Sequence, residues 1–530
     1  MAITPLLNEL WQLRDQHRGR LRSDDPEMTS LLVGHVHEFL DREGETFGPK
    51  DLAAILRIVA VEEQRRPEHL IRFLAEYAAQ RKAMRVLDPF AGVPEIAASV
   101  AVQTRGSVAA YTPYSDLATL ANRFGSQVDW RATRTVDELP VFDGHFDLLV
   151  SSPPIGIAGP PHVEIPVPGL RRSDMAKILI ANAAEAVDEI AFVTTDQLWW
   201  GKDGEAFRSY LSELKFSPWA SINVPNGLGN ISSIPVSIVI FRKVDAGDLF
   251  IAQLTSATDI AALVEGVDQH RASPVVELGS LVDSGAYRGW DSAQSQLRFE
   301  QLSKRSPIPH VPLAEVATEF RVQKLAPGMD FEAPPNSLFF DSRILGRART
   351  TLEPPRKAEV RWHEAVVDPD RADATFLAHW LNETEIGGLA QRRLAQGSAQ
   401  QRIPRDEVGQ VMIPDLPVSE QREVMKLRNW LVAVRDEADS LATGLIAESW
   451  QRREVELEAR SLAEVDPVSG WADRLPFVLG SIVHRYRIET DPARKLYNAL
   501  HLLEATAIVL AAALLVAVSG SPETMTKVGE

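Results

Sequence analysis

The chain has 530 residues, 45% of them hydrophobic, no cysteine and a formal net charge of −17. That length suits about three or four domains, and the lack of cysteine excludes disulfides, thiolate metal sites and thiol nucleophiles, and with them any methylation of cytosine carbon 5 that starts from a thiolate. The acidic balance excludes nonspecific coating of nucleic acid, so a DNA-binding surface has to be a local basic patch. No N-terminal stretch joins a basic flank to an apolar run and a small-residue cleavage site, so secretion is not indicated and cytoplasmic residence is expected. The apolar tract Ala505–Val518 falls short of the ~20 residues that span a bilayer and reads as a buried helix, with no membrane partner.

From Thr4 to Lys82 apolar residues recur every three or four positions, as in LLNELWQL, LLVGHVHEFL and DLAAILRIVAVEEQ, which predicts a helical N-terminal region over 1–82. Short apolar runs then suit buried parallel strands at Met84–Leu87, Ser107–Tyr111, Phe146–Val150, Glu189–Thr194 and Val236–Phe241. Helical segments such as Asp116–Phe124 and Arg172–Ala186 separate them. The alternation predicts an α/β, Rossmann-like doubly wound domain over 83–245, with ligand sites at the carboxyl ends of its strands.

A mixed stretch over 246–305 reads as a connector, and the extended PIPHVP at Pro307–Pro312 opens an α+β domain over 306–420. Strand-like pieces there lead to a helix at Ala374–Glu385, the Arg- and Gln-rich Gln391–Arg405 and the apolar step Ile413–Leu416. A long helical pattern from Val418 to about Ala463 follows, assigned as a spacer over 421–465. The last segment, 466–530, reads as packed helices in which Leu496, Leu500, Leu503, Ala507 and Leu510 form a core stripe.

Two stretches carry the chemistry. In Asp88-Pro89-Phe90-Ala91-Gly92-Val93-Pro94-Glu95 a glycine turn follows a strand and opens a helix, which lets backbone approach a nucleotide-like ligand closely. In Phe146–Gly156 a buried strand runs into Ser152-Pro153-Pro154, where paired prolines lock an extended loop whose carbonyls have no neighbouring amide. Taken singly, the first reads equally as a strand-to-helix connection and the second as a Pro-rich loop.

DPFAG, FDLLVSSPP and SSIPVSIVIFRK (Ser232–Lys243), in that order, resemble the N6-adenine DNA methyltransferase family, especially the modification subunits of type I restriction systems, over about residues 45–245. The resemblance implies a class I methyltransferase domain using S-adenosylmethionine without metal. Asp88, Phe90 and Gly92 would shape the cofactor site, with Thr112 or a neighbour at the ribose hydroxyls. Ser152, the Pro153 carbonyl and Pro154 would polarise an exocyclic amine, adenine N6 first, on a base flipped from the duplex, and Ile155 would line its pocket. The chain departs from the family pattern at four places. Pro94 replaces a second glycine, Thr112 stands where an acid is usual, Ser152 replaces Asp or Asn, and Ile155 replaces a stacking aromatic that contributes ~1–3 kcal/mol to base binding.

Residues 306–463 resemble one target-recognition half of a type I specificity subunit, carried by VPLAEVATEF (Val311–Phe320), Phe376–Ile403 with its Gly397-Ser398 turn, and VMIPDLPVSEQREV (Val411–Val424). The resemblance implies contact with double-stranded DNA through Arg392, Arg393, Gln400 and Arg402. A second arginine excess lies at Arg343, Arg347, Arg349, Arg356 and Lys357. Such clusters contact phosphates or base edges, or simply form solvated faces. Three function classes stay open: a site-specific DNA methyltransferase of a restriction or antiviral defence system, a decayed recognition or sensor subunit acting with effector partners, and an RNA or protein methyltransferase. A homo-oligomer or a defence complex is the expected assembly. No Walker loop, HExxH helix or GxSxG elbow is spelled.

Overall fold

The computed structural model describes residues 3–17, 26–43, 49–59, 66–91, 95–112, 115–121, 123, 128–132, 139–153, 155, 165, 167–170, 174–226, 235–245, 247–329, 331–353, 355–397, 401–447, 477–489 and 491–519. Four helices, α1 (Ile3–His17), α2 (Pro26–Glu43), α3 (Pro49–Val59) and α4 (Glu68–Gln80), make up the helical N-terminal region. After them β1 (Arg85–Asp88), α5 (Glu95–Gln103), β2 (Ser107–Thr112), α6 (Ser115–Ala121), β3 (Val128–Ala132), β4 (Leu148–Ser151), α7 (Met175–Ala183) and β5 (Glu189–Thr194) alternate strand with helix. Then come α8 (Gln197–Trp200), α9 (Lys202–Glu213), β6 (Ser217–Val224), β7 (Val236–Arg242), β8 (Asp248–Gln253), α10 (Ile260–Gln269), β9 (Ser280–Asp283) and α11 (Trp290–Arg305).

The nine strands form one sheet in the order β3-β2-β1-β4-β5-β7-β6-β8-β9. The first five are parallel, β7 is antiparallel to both β5 and β6, and β8 runs parallel to β6. This is the Rossmann-like class I methyltransferase fold. The segment read as a connector, 246–305, does more than connect: β8 and β9 extend the sheet at its far edge.

Both faces of the sheet are covered because successive strand residues point to opposite sides. Val86, Leu148 and Val150 join the core built by α1–α5 and α10. Their neighbours Leu87 and Leu149 join a second core with residues of α7, α9 and α11. At the amino edge α4 is tied to the sheet by ions. Arg242 Nε donates to Glu189 Oε1 at 3.0 Å, Arg81 Nε donates to Glu189 Oε2 at 2.8 Å, and the Tyr77 hydroxyl donates to Glu189 Oε1.

Next, β10 (His310–Pro312) pairs with β14 (Met412–Pro414), and β11 (Ala317–Leu325), β13 (Val360–Val367) and β12 (Ser337–Asp341) form an antiparallel three-stranded sheet in that order. Helices α12 (Ala374–Glu383) and α13 (Glu385–Arg392) sit between β13 and β14 in sequence. Two N-caps set their starts: Asp373 accepts from the amides of Thr375 and Phe376, and Thr384 accepts from that of Gly387. The chain divides into two compact units, 1–421 and 422–530, the boundary falling within α14 (Val418–Ala447). The second unit also holds α15 (Phe477–Ile488) and α16 (Pro492–Ser519). The stripe expected as core on α16 is not buried: Leu496, Leu500, Leu503 and Leu510 are 54–68% exposed. Spacing of three and four residues marks a helix face but does not supply a neighbour to cover it. Among the described residues no helix is long and apolar enough to cross a membrane.

Candidate ligand crevice and arginine face

In an open α/β sheet, ligands sit beyond the carboxyl ends of strands where successive connections leave in opposite directions. Here that point lies between β1 and β4, the neighbours from which the order runs outward both ways. Their parallel register pairs Val86 with Leu148 and Leu87 with Leu149, so Asp88 and Ser151 end the two strands side by side. Ser151 Oγ donates to Asp88 Oδ1 at 2.7 Å, and the Phe90 amide donates to the same oxygen at 3.2 Å. The two stretches singled out in the sequence therefore meet. Asp88 is buried, and loss of water lifts its pKa to about 7 against the downward pull of those two hydrogen bonds.

Ser152 follows β4 half-buried, and its Oγ accepts a hydrogen bond from Arg66 Nε at 2.6 Å. Arg66 comes from the segment just before α4, whose Leu70, Phe73, Leu74 and Tyr77 are fixed in the core. Burial pushes the guanidinium down to about 10, and the carboxylate of Glu95, at the first position of α5, acts in the opposite direction. Glu95 is itself buried. The sequence reading missed Arg66. Its signal was Arg65-Arg66-Pro67, a proline straight after two cations, which breaks a helix there.

Other residues of these two stretches and their surroundings lie as follows. Phe90 is half-buried beside Asp88, and Pro153 is buried. Ile155 is half-buried and packs against the main core cluster. Thr112 ends β2 fully buried, and the nearby Ala91 amide donates to Tyr111 O at 2.8 Å. Asp116 lies in α6, where it accepts from Ser30 Oγ at 3.0 Å. His145 precedes β4, at the opposite end of that strand from Ser152, and meets Asp188 at 2.9 Å. Gly92, Pro94, Pro154 and Gln400 lie outside the described residues.

A second, half-buried acid sits at the same edge of the sheet. Asp196 follows β5, accepts from Ser237 Oγ at 2.8 Å and from the Trp290 amide, and burial raises its pKa to about 6. Gly289 holds φ at +137°, and a Cβ there would lie 2.6 Å from Asp196 Oδ2. These contacts lock α11 onto the sheet.

In 306–421 the arginines divide into two kinds. Arg393 is half-buried: its guanidinium lies 5.5 Å from the Phe299 ring centre, donates to Gln296 Oε1 at 2.9 Å and also donates to the Gln410 carbonyl. Desolvation lowers its pKa, and its role here is that of a strut between α11 and the loop before β14. Arg392 is exposed on the last turn of α13. Arg402 is exposed too, its backbone paired with Gln396 in both directions at 2.8 and 2.9 Å around the Gly397 turn. The Leu345 amide donates to the Gln401 carbonyl, so the loop bearing Arg343 and Arg347 lies against the segment bearing Arg402 and Arg405. All four of these arginines are exposed. Burial lowers the pKa of His363 on β13, and the nearby Arg405 and Arg402 act in the same direction.

No protein-family model matches the chain, and no curated protein matches it. Among solved structures it is similar to a putative class I S-adenosylmethionine-dependent methyltransferase from Listeria monocytogenes, at 15% identity over 50% of this chain and 98% of that one, with a TM-score of 0.39. It is also similar to the methyltransferase subunit of a type I restriction-modification system from Streptococcus thermophilus, at 13% identity over 50% of this chain and 62% of that one, with a TM-score of 0.36. A third is the M protein of the type I restriction enzyme EcoKI, at 15% identity over 47% of this chain and 71% of that one, with a TM-score of 0.29. The chain thus spans 62% of the length of the Streptococcus subunit. The likeness is one of scaffold, and the strand order carries the fold assignment.

Proposed function

We propose that this chain is a methyltransferase-fold DNA recognition protein that holds an S-adenosyl nucleoside in the crevice between β1 and β4. The observation that carries this reading is the meeting of the Asp88 turn with the Ser151-Ser152 loop, through the 2.7 Å hydrogen bond, at the point where the fold places ligands. On this reading 306–420 is a target-recognition domain fused to the methyltransferase-like domain of 83–245, and 421–465 is its spacer. Arg392 and Arg402, with Arg343, Arg347 and Arg405, would meet the phosphates of double-stranded DNA. The setting would be cytoplasmic, in a restriction or antiviral defence system, as a homo-oligomer or beside partner effector subunits.

The residues present argue against a role in methyl transfer: Ser152, the side chain that would polarise a target amine, already accepts from Arg66, while at the ribose end Thr112 supplies a hydroxyl and no carboxylate. We therefore derive no transfer step. The Arg66 contact favours the sensor or recognition reading over site-specific methylation of adenine N6. Two assays test the proposal: calorimetry with S-adenosyl ligands, and gel shift with random duplex across a salt series. Micromolar nucleoside binding together with salt-dependent duplex binding is the expected result. Transfer of a labelled methyl group to duplex DNA would restore the enzymatic reading, and silence in both assays would remove the proposal.

A further inference from the structure

The bare stripe of α16 has the spacing of a seam between two helices. Leu496, Leu500, Leu503 and Leu510 are exposed, and with the exposed Ala493 and Ala507 they recur at alternating intervals of three and four residues. That is the 3.5-residue period of a coiled coil, with Ala493, Leu500 and Ala507 at one core position and Leu496, Leu503 and Leu510 at the other. Helix α15 packs against α16, and Ala499, Leu502, Thr506 and Val509, on another side of α16, are half-buried. The seam is a separate face that this hairpin leaves bare.

The seam is complementary to itself in one orientation. When two copies run antiparallel about a two-fold axis between His501 and Leu502, Leu500 faces Leu503 of the second copy, Leu496 faces its Ala507 and Ala493 faces its Leu510. Every alanine then meets a leucine, the large-against-small filling that a packed layer needs. In a parallel pair each residue meets its own copy, and Ala493 and Ala507 leave two gaps. The flank agrees with the antiparallel pair, which sets Tyr497 of one copy opposite Glu504 of the other, a phenol donor against a carboxylate. Within one copy the Tyr497 ring already stands edge-on to His501 at 4.4 Å, and His501 Nδ1 lies 3.3 Å from Glu504 Oε2. With Tyr497 included, the large side chains of the seam leave roughly 600 Å² bare on each copy, so a pair covers on the order of 1,000 Å², the least a specific interface needs. An anionic lipid surface suits this face less well. Glu504 is 72% exposed beside the seam, whereas a helix lying on such a surface carries Lys and Arg along its polar face.

We propose that α16 is a homodimerisation helix whose bare seam docks antiparallel on the same seam of a second copy of this chain. The proposal stands apart from the nucleoside and DNA readings, neither of which needs a second copy.

The chain has no cysteine, so introduced cysteines report the seam without background. Sedimentation equilibrium of the full chain at micromolar concentration is expected to give twice the mass of one copy. The double variant Leu500→Glu with Leu503→Glu, which changes two exposed positions, is expected to give a single copy with an unchanged circular dichroism spectrum. Mixing Ala507→Cys chains with Leu496→Cys chains under mild oxidation is expected to yield a disulfide-linked pair. Ala507→Cys alone should yield none, because the two Ala507 positions of the antiparallel pair lie about 16 Å apart along the helix axis. A single-copy mass for the wild type, or a folded double variant that stays paired, overturns the proposal. If the double variant does not fold, the cysteines decide: no link between positions 496 and 507, or a link of Ala507→Cys to itself, overturns the antiparallel seam. Wild-type binding to vesicles of anionic phospholipid that the double variant loses would assign the face to lipid and overturn it as well.

Discussion

The crevice between β1 and β4 and the arginine face of 306–421 treat charge in opposite ways. At the crevice the charged groups described are buried or half-buried and answered by the protein itself: Asp88 by Ser151 and the Phe90 amide, and Arg66 by Ser152 with Glu95 acting on it. On the arginine face Arg402, Arg405, Arg343 and Arg347 are exposed, whereas the half-buried Arg393 is held by Gln296 and the Phe299 ring. Buried charge needs internal partners and costs stability when one is removed, whereas exposed charge contributes little to the fold and remains available to a polyanion. The same residue type thus has two jobs, separable by mutation.

The contrast is broken most forcefully at the buried ion cluster of the amino edge. Arg242→Ala leaves Glu189 buried with one cation fewer, and a loss of about 3–5 kcal/mol is expected, read as a large fall in the thermal midpoint. An unchanged midpoint would mean that burial does not decide the role of these charges. Asp88→Asn comes next. Because the folded pKa of Asp88, about 7, lies above its unfolded value, the native state binds the extra proton. Stability from this group is full below about pH 4 and falls as pH rises toward 7, levelling off beyond it. The variant is expected to gain on the order of 2–4 kcal/mol over wild type at pH 8 and nothing near pH 4. Calorimetric melting from acid to mildly alkaline pH checks it, and a pH-independent difference would contradict the burial of that acid.

A smaller loss is expected from Gly289→Ala, which puts a Cβ 2.6 Å from Asp196 Oδ2 at a φ of +137°. About 1–3 kcal/mol is the expected cost, and chemical denaturation measures it. The smallest effect sharpens the comparison. Arg402→Ala should weaken duplex binding by about fivefold and lower the salt slope by about one, with the melting point unchanged. Arg393→Ala should lower the melting point and leave the salt slope alone. A reversed pair of results would exchange the two roles.

Much of the central sheet was legible because β1, β2, β4, β5 and β7 are apolar runs buried on both faces, which stand out in a sequence. The strands that were not read lack that signature. β3 is a short edge strand carrying Asp129 and Arg131, β6 opens with the half-buried Ser217-Pro218-Trp219 and a register shift, and β8 and β9 extend the far edge. Asp88 and Ser152 could be found because glycine and paired proline advertise a turn. Arg66 could not be paired with Ser152, since 86 residues separate them and only the packing of α4 against the sheet brings them together. Arg393 is the opposite case: it sits among exposed arginines in sequence, and only its place over Phe299 sets it apart from them.

Photocrosslinking of radiolabelled S-adenosylhomocysteine to the full chain, followed by peptide mapping, tests the nucleoside crevice most directly. Label is predicted in the peptides that carry Phe90 and Ser152, and it should be displaced by excess unlabelled ligand. Label confined to other peptides, or none above background, would contradict it.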